Sequence, residues 1–97
     1  MSQVTLSDSH IIASADDLLT TEFDSEVVIL DLRDGVYYGL EHVGARVWTL
    51  LRHPVTLASL RDAIASEYDV DPDRCAEDVR DLVRELAAHN LVMIRTA

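Results

Sequence analysis

The chain has 97 residues, with 18 Asp and Glu against eight basic residues, all of them Arg, for a net charge of −10. That length holds one domain with one modest core, and the acidic field repels nucleic-acid phosphates and anionic membrane surfaces. A single cysteine excludes an internal disulfide, the N-terminus has no basic and apolar signal pattern, and no apolar run exceeds four residues, so a single cytoplasmic domain over residues 1–97 is expected.

The first half reads as β. Val4 and Leu6 alternate with polar residues, and residues 10–13 form a second short strand candidate. Residues 14–26 are polar and acidic around Leu18, Leu19 and Phe23, and read as a loop or irregular edge structure. Residues 27–32 carry the strongest strand signal. Asp34-Gly35 then separates them from residues 36–40, the pattern of a hairpin whose turn uses the positive φ open to glycine.

The second half reads as α. Val43, Val47, Leu50 and Leu51 recur at helical spacing, with Trp48 beside them, which predicts a first helix over 41–52. Pro54 ends it. Thr56 caps a second helix with Leu57, Leu60, Ala63 and Ile64 on one face. Asp71-Pro72 opens a third, an acidic cap followed by proline where no amide donor is needed. It carries Cys75, Val79, Leu82, Val83 and Leu86 and ends near Asn90. Residues 91–94 form an apolar tail, read as a strand or strap. Trp48, Leu50, Leu60 and Ile64 are core candidates. The expected class is α+β: a winged helix-turn-helix, with a small antiparallel sheet of an N-terminal strand plus the hairpin, followed by three helices.

Little in this chain suggests chemistry. His10, His42, His53 and His89 are scattered, and Cys75 has no second ligand nearby, so neither a metal site nor a cofactor is expected. Cys75 falls in register with Val79 and Leu82, the position of a small buried hydrophobe rather than a nucleophile. The acidic residues of the third helix, Glu77, Asp78, Asp81 and Glu85 among them, read as a solvated face and argue against a DNA-recognition helix. The second hairpin strand is more informative. It has neither charge nor proline to blunt an exposed edge. Either another segment covers that edge, such as the strand at His10 or the C-terminal tail, or it is open for a guest strand.

Val27-Val28-Ile29-Leu30-Asp31-Leu32-Arg33-Asp34-Gly35-Val36-Tyr37-Tyr38-Gly39-Leu40, followed by Val43-Gly44-Ala45-Arg46-Val47-Trp48, resembles the PqqD-like family, in particular the stand-alone leader-binding proteins of lasso-peptide gene clusters. Tyr68-Asp69-Val70-Asp71-Pro72-Asp73 and the acidic helix after it fit the same pattern, so the resemblance covers about residues 27–95. The polar stretch before Val27 departs from it and leaves the first strand unplaced. The resemblance implies a recognition element for ribosomally made, modified peptides that does no chemistry itself. A precursor's leader, of the form Tyr-x-x-Pro-x-Leu, would pair with the strand at Val36, Tyr37, Tyr38, Gly39 and Leu40. It would lie in a cleft beside the third helix. Val79, Val83 and Leu86 are the expected helix wall, with Arg80 and Arg84 as polar rim. Implied partners are a separate transglutaminase-like cysteine leader peptidase and an ATP-using cyclase, with the chain a monomer by itself. The PqqD role proper, delivering a precursor peptide to a radical SAM enzyme of pyrroloquinoline quinone biosynthesis, is the neighbouring alternative. A winged-helix DNA-binding protein is the remoter one.

Overall fold

A computed structural model describes residues 6–96. In chain order they form β1 (Ile11–Ser14), β2 (Leu18–Phe23), β3 (Glu26–Asp31), β4 (Val36–Glu41), α1 (Val43–Leu50), β5 (Val55–Thr56), α2 (Leu57–Tyr68), α3 (Pro72–Ala88) and β6 (Val92–Arg95). The strands make two antiparallel three-stranded sheets, ordered β2-β3-β4 and β5-β1-β6. The α+β class is as expected. Val4 lies outside the described residues, and Leu6 is buried without joining a strand.

The sheet at the hairpin differs from expectation in its third member. Within residues 14–26 the edge structure is regular: β2 pairs with β3 from Leu18 opposite Asp31 to Phe23 opposite Glu26. The N-terminal strand joins the other sheet, between β5 and β6. The physical reason is that β2 turns polar side chains inward. Thr20 Oγ1 accepts the indole N–H of Trp48 at 3.2 Å, and Glu22 takes Arg52 and the Thr49 hydroxyl. An exposed strand whose helix-side positions are polar lacks the apolar alternation that marks strands in sequence.

β3 does alternate. Val27 and Ile29 are buried on its inner face, and Asp31 continues that face. The turn to β4 spans Leu32 to Gly35, with Gly35 at φ +75° and its N–H bonded to the Asp31 carbonyl at 2.8 Å. Such a φ strains any residue with a Cβ.

Helix ends follow the capping residues. Thr56 Oγ1 accepts the Ser59 N–H at 3.1 Å, and the Asp71 carboxylate accepts that of Arg74 at 3.2 Å. α1 starts later than its apolar spacing suggests, because Glu41 still belongs to β4 and His42 takes φ +53° between them. α3 ends at Ala88, where Asn90 adopts φ +60°. The N–H groups of Asn90 and Leu91 return to Ala87 O (3.0 Å) and Leu86 O (2.9 Å), closing the helix's last carbonyls.

The core lies between sheets and helices. Ile12, Ile29, Val47, Leu51, Leu57, Leu60, Ile64, Val83 and Leu91 are its fully buried members. Trp48 is buried with them, while Leu50 is only partly covered. No described helix is long and apolar enough to cross a membrane.

Candidate functional site

β4 is an edge strand. It pairs with β3 on one side, and no described strand pairs with the other. The two segments that were candidates to cover it, β1 and β6, pair with each other instead. His42 donates to the Ser25 carbonyl at 2.8 Å, which sets the phase of the β3–β4 ladder. Antiparallel pairs alternate between bonded and non-bonded residues. Leu40 and Tyr38 therefore turn their backbone groups to β3, and Tyr37, Gly39 and Glu41 turn theirs to the open edge.

Side chains alternate in the other sense. Tyr38 and Leu40 point to the helix side, while Tyr37 stands in solvent on the outer face, 68% exposed. Beneath the edge lies a cleft of about 130 Å³, walled by Tyr38, Gly39 and Leu40 on one side and by Leu82, Glu85, Leu86 and His89 on the other, with Leu91 at its base. The cleft exists because β4 packs on α1, whereas α3 packs on α2 and β6.

A larger cavity, about 550 Å³, opens among α1, α2 and α3. Its lining is mostly apolar: Val43, Gly44, Val47, Ile64, Tyr68, Val70, Cys75, Val79 and Leu82. Asp71, Arg74 and Asp78 add charge to it. Leu82 belongs to both spaces. Gly44 sits where they meet, since a Cβ there would lie 3.6 Å from Leu40 Cδ2 and 4.0 Å from Leu82 Cδ2. Both spaces lie along α3, on the stripe Cys75, Val79, Leu82, Leu86 and His89, spaced three and four residues apart.

The expected site residues divide accordingly. Tyr38, Gly39, Leu40 and Leu86 line the cleft, and Val79 lines the larger cavity. Val36 is at the turn end of β4, 43% exposed, and Tyr37 offers backbone rather than side chain. Val83 lines neither space: it is fully buried in the core. Arg80 and Arg84 are not the groove's rim. Arg80 pairs with Asp8 at 3.0 Å and Arg84 with Asp81 at 3.1 Å. At 100° per residue both fall on the opposite side of α3 from Leu82. The charged residues that line the two spaces are Asp71, Arg74, Asp78 and Glu85. Leu82, His89 and Gly44 were not among the expected site residues. The spacing of Leu82 and His89 from Cys75 was the available signal.

Cys75 is 4% exposed, and burial pushes its thiol pKa up, away from the thiolate a nucleophile needs. No cluster of potential metal ligands occurs among the described residues.

No curated protein sequence matches the chain. Among solved structures, it is similar to TbiB1 in complex with the TbiA(beta) leader peptide, at 39% identity over 82% of this chain and 93% of that one, with a TM-score of 0.78. A lasso peptide synthetase B1 complexed with its leader peptide shares the fold at 24% identity, 84% and 96% coverage and a TM-score of 0.72. So does the PqqD truncation of Methylobacterium extorquens PqqCD, a stand-alone recognition element for ribosomally synthesised and modified peptides. It matches at 19% identity, 96% and 99% coverage and a TM-score of 0.75. The sequence profile for coenzyme PQQ synthesis protein D matches residues 26–92, the stretch from β3 through α3 to the start of β6 that builds both walls of the groove. With most of its length under that profile and a TbiB1-like sequence over the same elements, the chain belongs to the PqqD family.

Proposed function

We propose that this protein captures the leader segment of a ribosomally made precursor peptide by adding it as a strand to β4, and presents it to a separate cysteine leader peptidase during lasso-peptide maturation. The observation that carries this reading is the open β4 edge above an apolar groove. Strand addition draws affinity from ladder hydrogen bonds and specificity from pockets for alternate side chains. Both parts are present: unpaired backbone groups at Tyr37, Gly39 and Glu41, and pockets under Tyr38 and Leu40. The 39% identity to TbiB1, which was solved with a leader peptide, supports a leader peptide as the ligand.

In this reading the chain does no chemistry, needs no cofactor and works in the cytoplasm as a monomer that hands its cargo to the peptidase and then the cyclase. Burying two or three large peptide side chains contributes about 1.5–3 kcal/mol each. Ordering a flexible leader opposes this, so affinities around micromolar are expected.

Calorimetric titration with a synthetic leader containing Tyr-x-x-Pro-x-Leu tests the reading. Saturable one-to-one binding, lost when the peptide's Tyr and Leu become Ala, is the expected result. A cognate leader that gives no heat up to about millimolar concentration, where binding is worth only about 4 kcal/mol, overturns it.

A further inference from the structure

Asp31 is a buried carboxylate at the end of β3, 3% exposed. Its Oδ1 accepts the Arg33 backbone N–H at 3.0 Å and Nε at 2.9 Å, and its Oδ2 accepts Nη2 at 2.9 Å. The same Nη2 also donates to the Asn90 carbonyl at 2.7 Å. One guanidinium therefore spans from the hairpin turn to the turn that ends α3. The residues flanking Asn90, His89 and Leu91, both line the cleft.

Only the carboxylate of this pair is buried, the Arg33 side chain being 41% exposed, so the pair is weak evidence of stability, but the planar guanidinium fork specifies geometry. Geometry is what this place requires. β4 leans on α1 and α3 leans on α2 and β6, so direct packing does little to set the gap between β4 and α3. At the Asn90 end of the gap the Tyr38 and His89 rings stand 5.2 Å apart.

We infer that Arg33 is a positioning residue for the peptide groove: held by Asp31, it fixes the end of α3 relative to β4 and so sets the width of the cleft between Tyr38 and His89. This rests on the peptide-binding reading of that cleft. Arg33 touches no peptide itself. It holds the two walls at the spacing in which a strand can bond to the β4 edge while its side chains reach Leu82 and Leu86.

The test uses the Asp31→Asn/Arg33→Gln double variant, which removes the tie without stranding a buried charge, and Arg33→Lys, which keeps Asp31 paired but lacks the fork to reach Asn90 as well. Two quantities are measured. The His89 ring-proton shifts report the Tyr38 ring current without any peptide, with Tyr38→Leu defining the value when that current is absent. Calorimetry with the synthetic leader reports affinity. The double variant is expected to lose at least half of the ring-current shift and to bind at least tenfold more weakly, with Arg33→Lys between it and wild type. Wild-type ring shifts in either folded variant overturn the inference, as does wild-type affinity in a variant whose ring shifts have moved. Absence of binding by the wild type itself overturns the peptide reading, and the inference with it. Binding by wild type and variants alike overturns the inference alone.

Discussion

The Tyr38 ring meets the His89 imidazole at a centroid distance of 5.2 Å and a tilt of 53°, so the strand edge and the last turn of α3 close on each other at one end of the groove. Tyr38 is half-buried and belongs to the wall of the cleft rather than to the deep core. Tyr38→Ala is therefore expected to fold and to lower leader affinity at least tenfold, about 1.4 kcal/mol. Circular dichroism checks the fold and calorimetry the affinity.

Gly44 offers a graded test of the groove floor. A methyl there makes ordinary contacts with Leu40 and Leu82, and the position needs no positive φ. Gly44→Ala is expected to raise stability, by up to about 1 kcal/mol from helix propensity, and to leave peptide binding intact. Gly44→Phe places a ring where the two cavities join and is expected to abolish binding in a folded protein. Thermal unfolding and titration of both variants separate the effects.

The α3 cap predicts a loss of stability. Asp71→Ala removes the acceptor for the Arg74 N–H and is expected to cost about 0.5–2 kcal/mol in urea unfolding. Cys75 lies one turn into the same helix, buried. Its thiol is expected to react with a disulfide reagent at least a hundredfold faster in urea than in the native protein.

Asp31 gives the acid limb of the stability curve a defined sign. Hydrogen bonds from the Arg33 side chain, then from its backbone N–H, hold the carboxyl below its ordinary pKa. A depressed folded pKa adds stability that is fully present above the unfolded value, about 3.9, and is lost as pH falls through the folded one. The stability gap between wild type and Asp31→Asn is thus expected to be constant above about pH 5 and to narrow below about pH 4. Urea midpoints for both proteins across that range check it.

Much of this architecture is legible in the residues. Thr56 and Asp71-Pro72 announce their helices because a side-chain acceptor at a helix start is a local requirement, met in both cases. Gly35 marks the hairpin for the same kind of reason. β2 was hidden because its inner positions, Thr20 and Glu22, are polar and find partners on α1, which only the folded chain supplies. The groove face of α3 was half legible. Its apolar stripe is wide enough for core and groove together, so Val83 and Leu82 look alike in sequence though one is fully buried and the other lines both cavities. The role of Arg33 was not legible at all: its link to Asn90 spans 57 positions and leaves no periodic trace.

The sheet of β5, β1 and β6 has a consequence for engineering. Ile11 is in register with Arg95, so the described chain enters and leaves through neighbouring strands. Neither strand belongs to the β4 sheet. A fluorescent label at the exposed Arg95 would therefore sit in the sheet that β4 does not join. Such a label follows the domain while the unpaired edge of β4 stays uncovered.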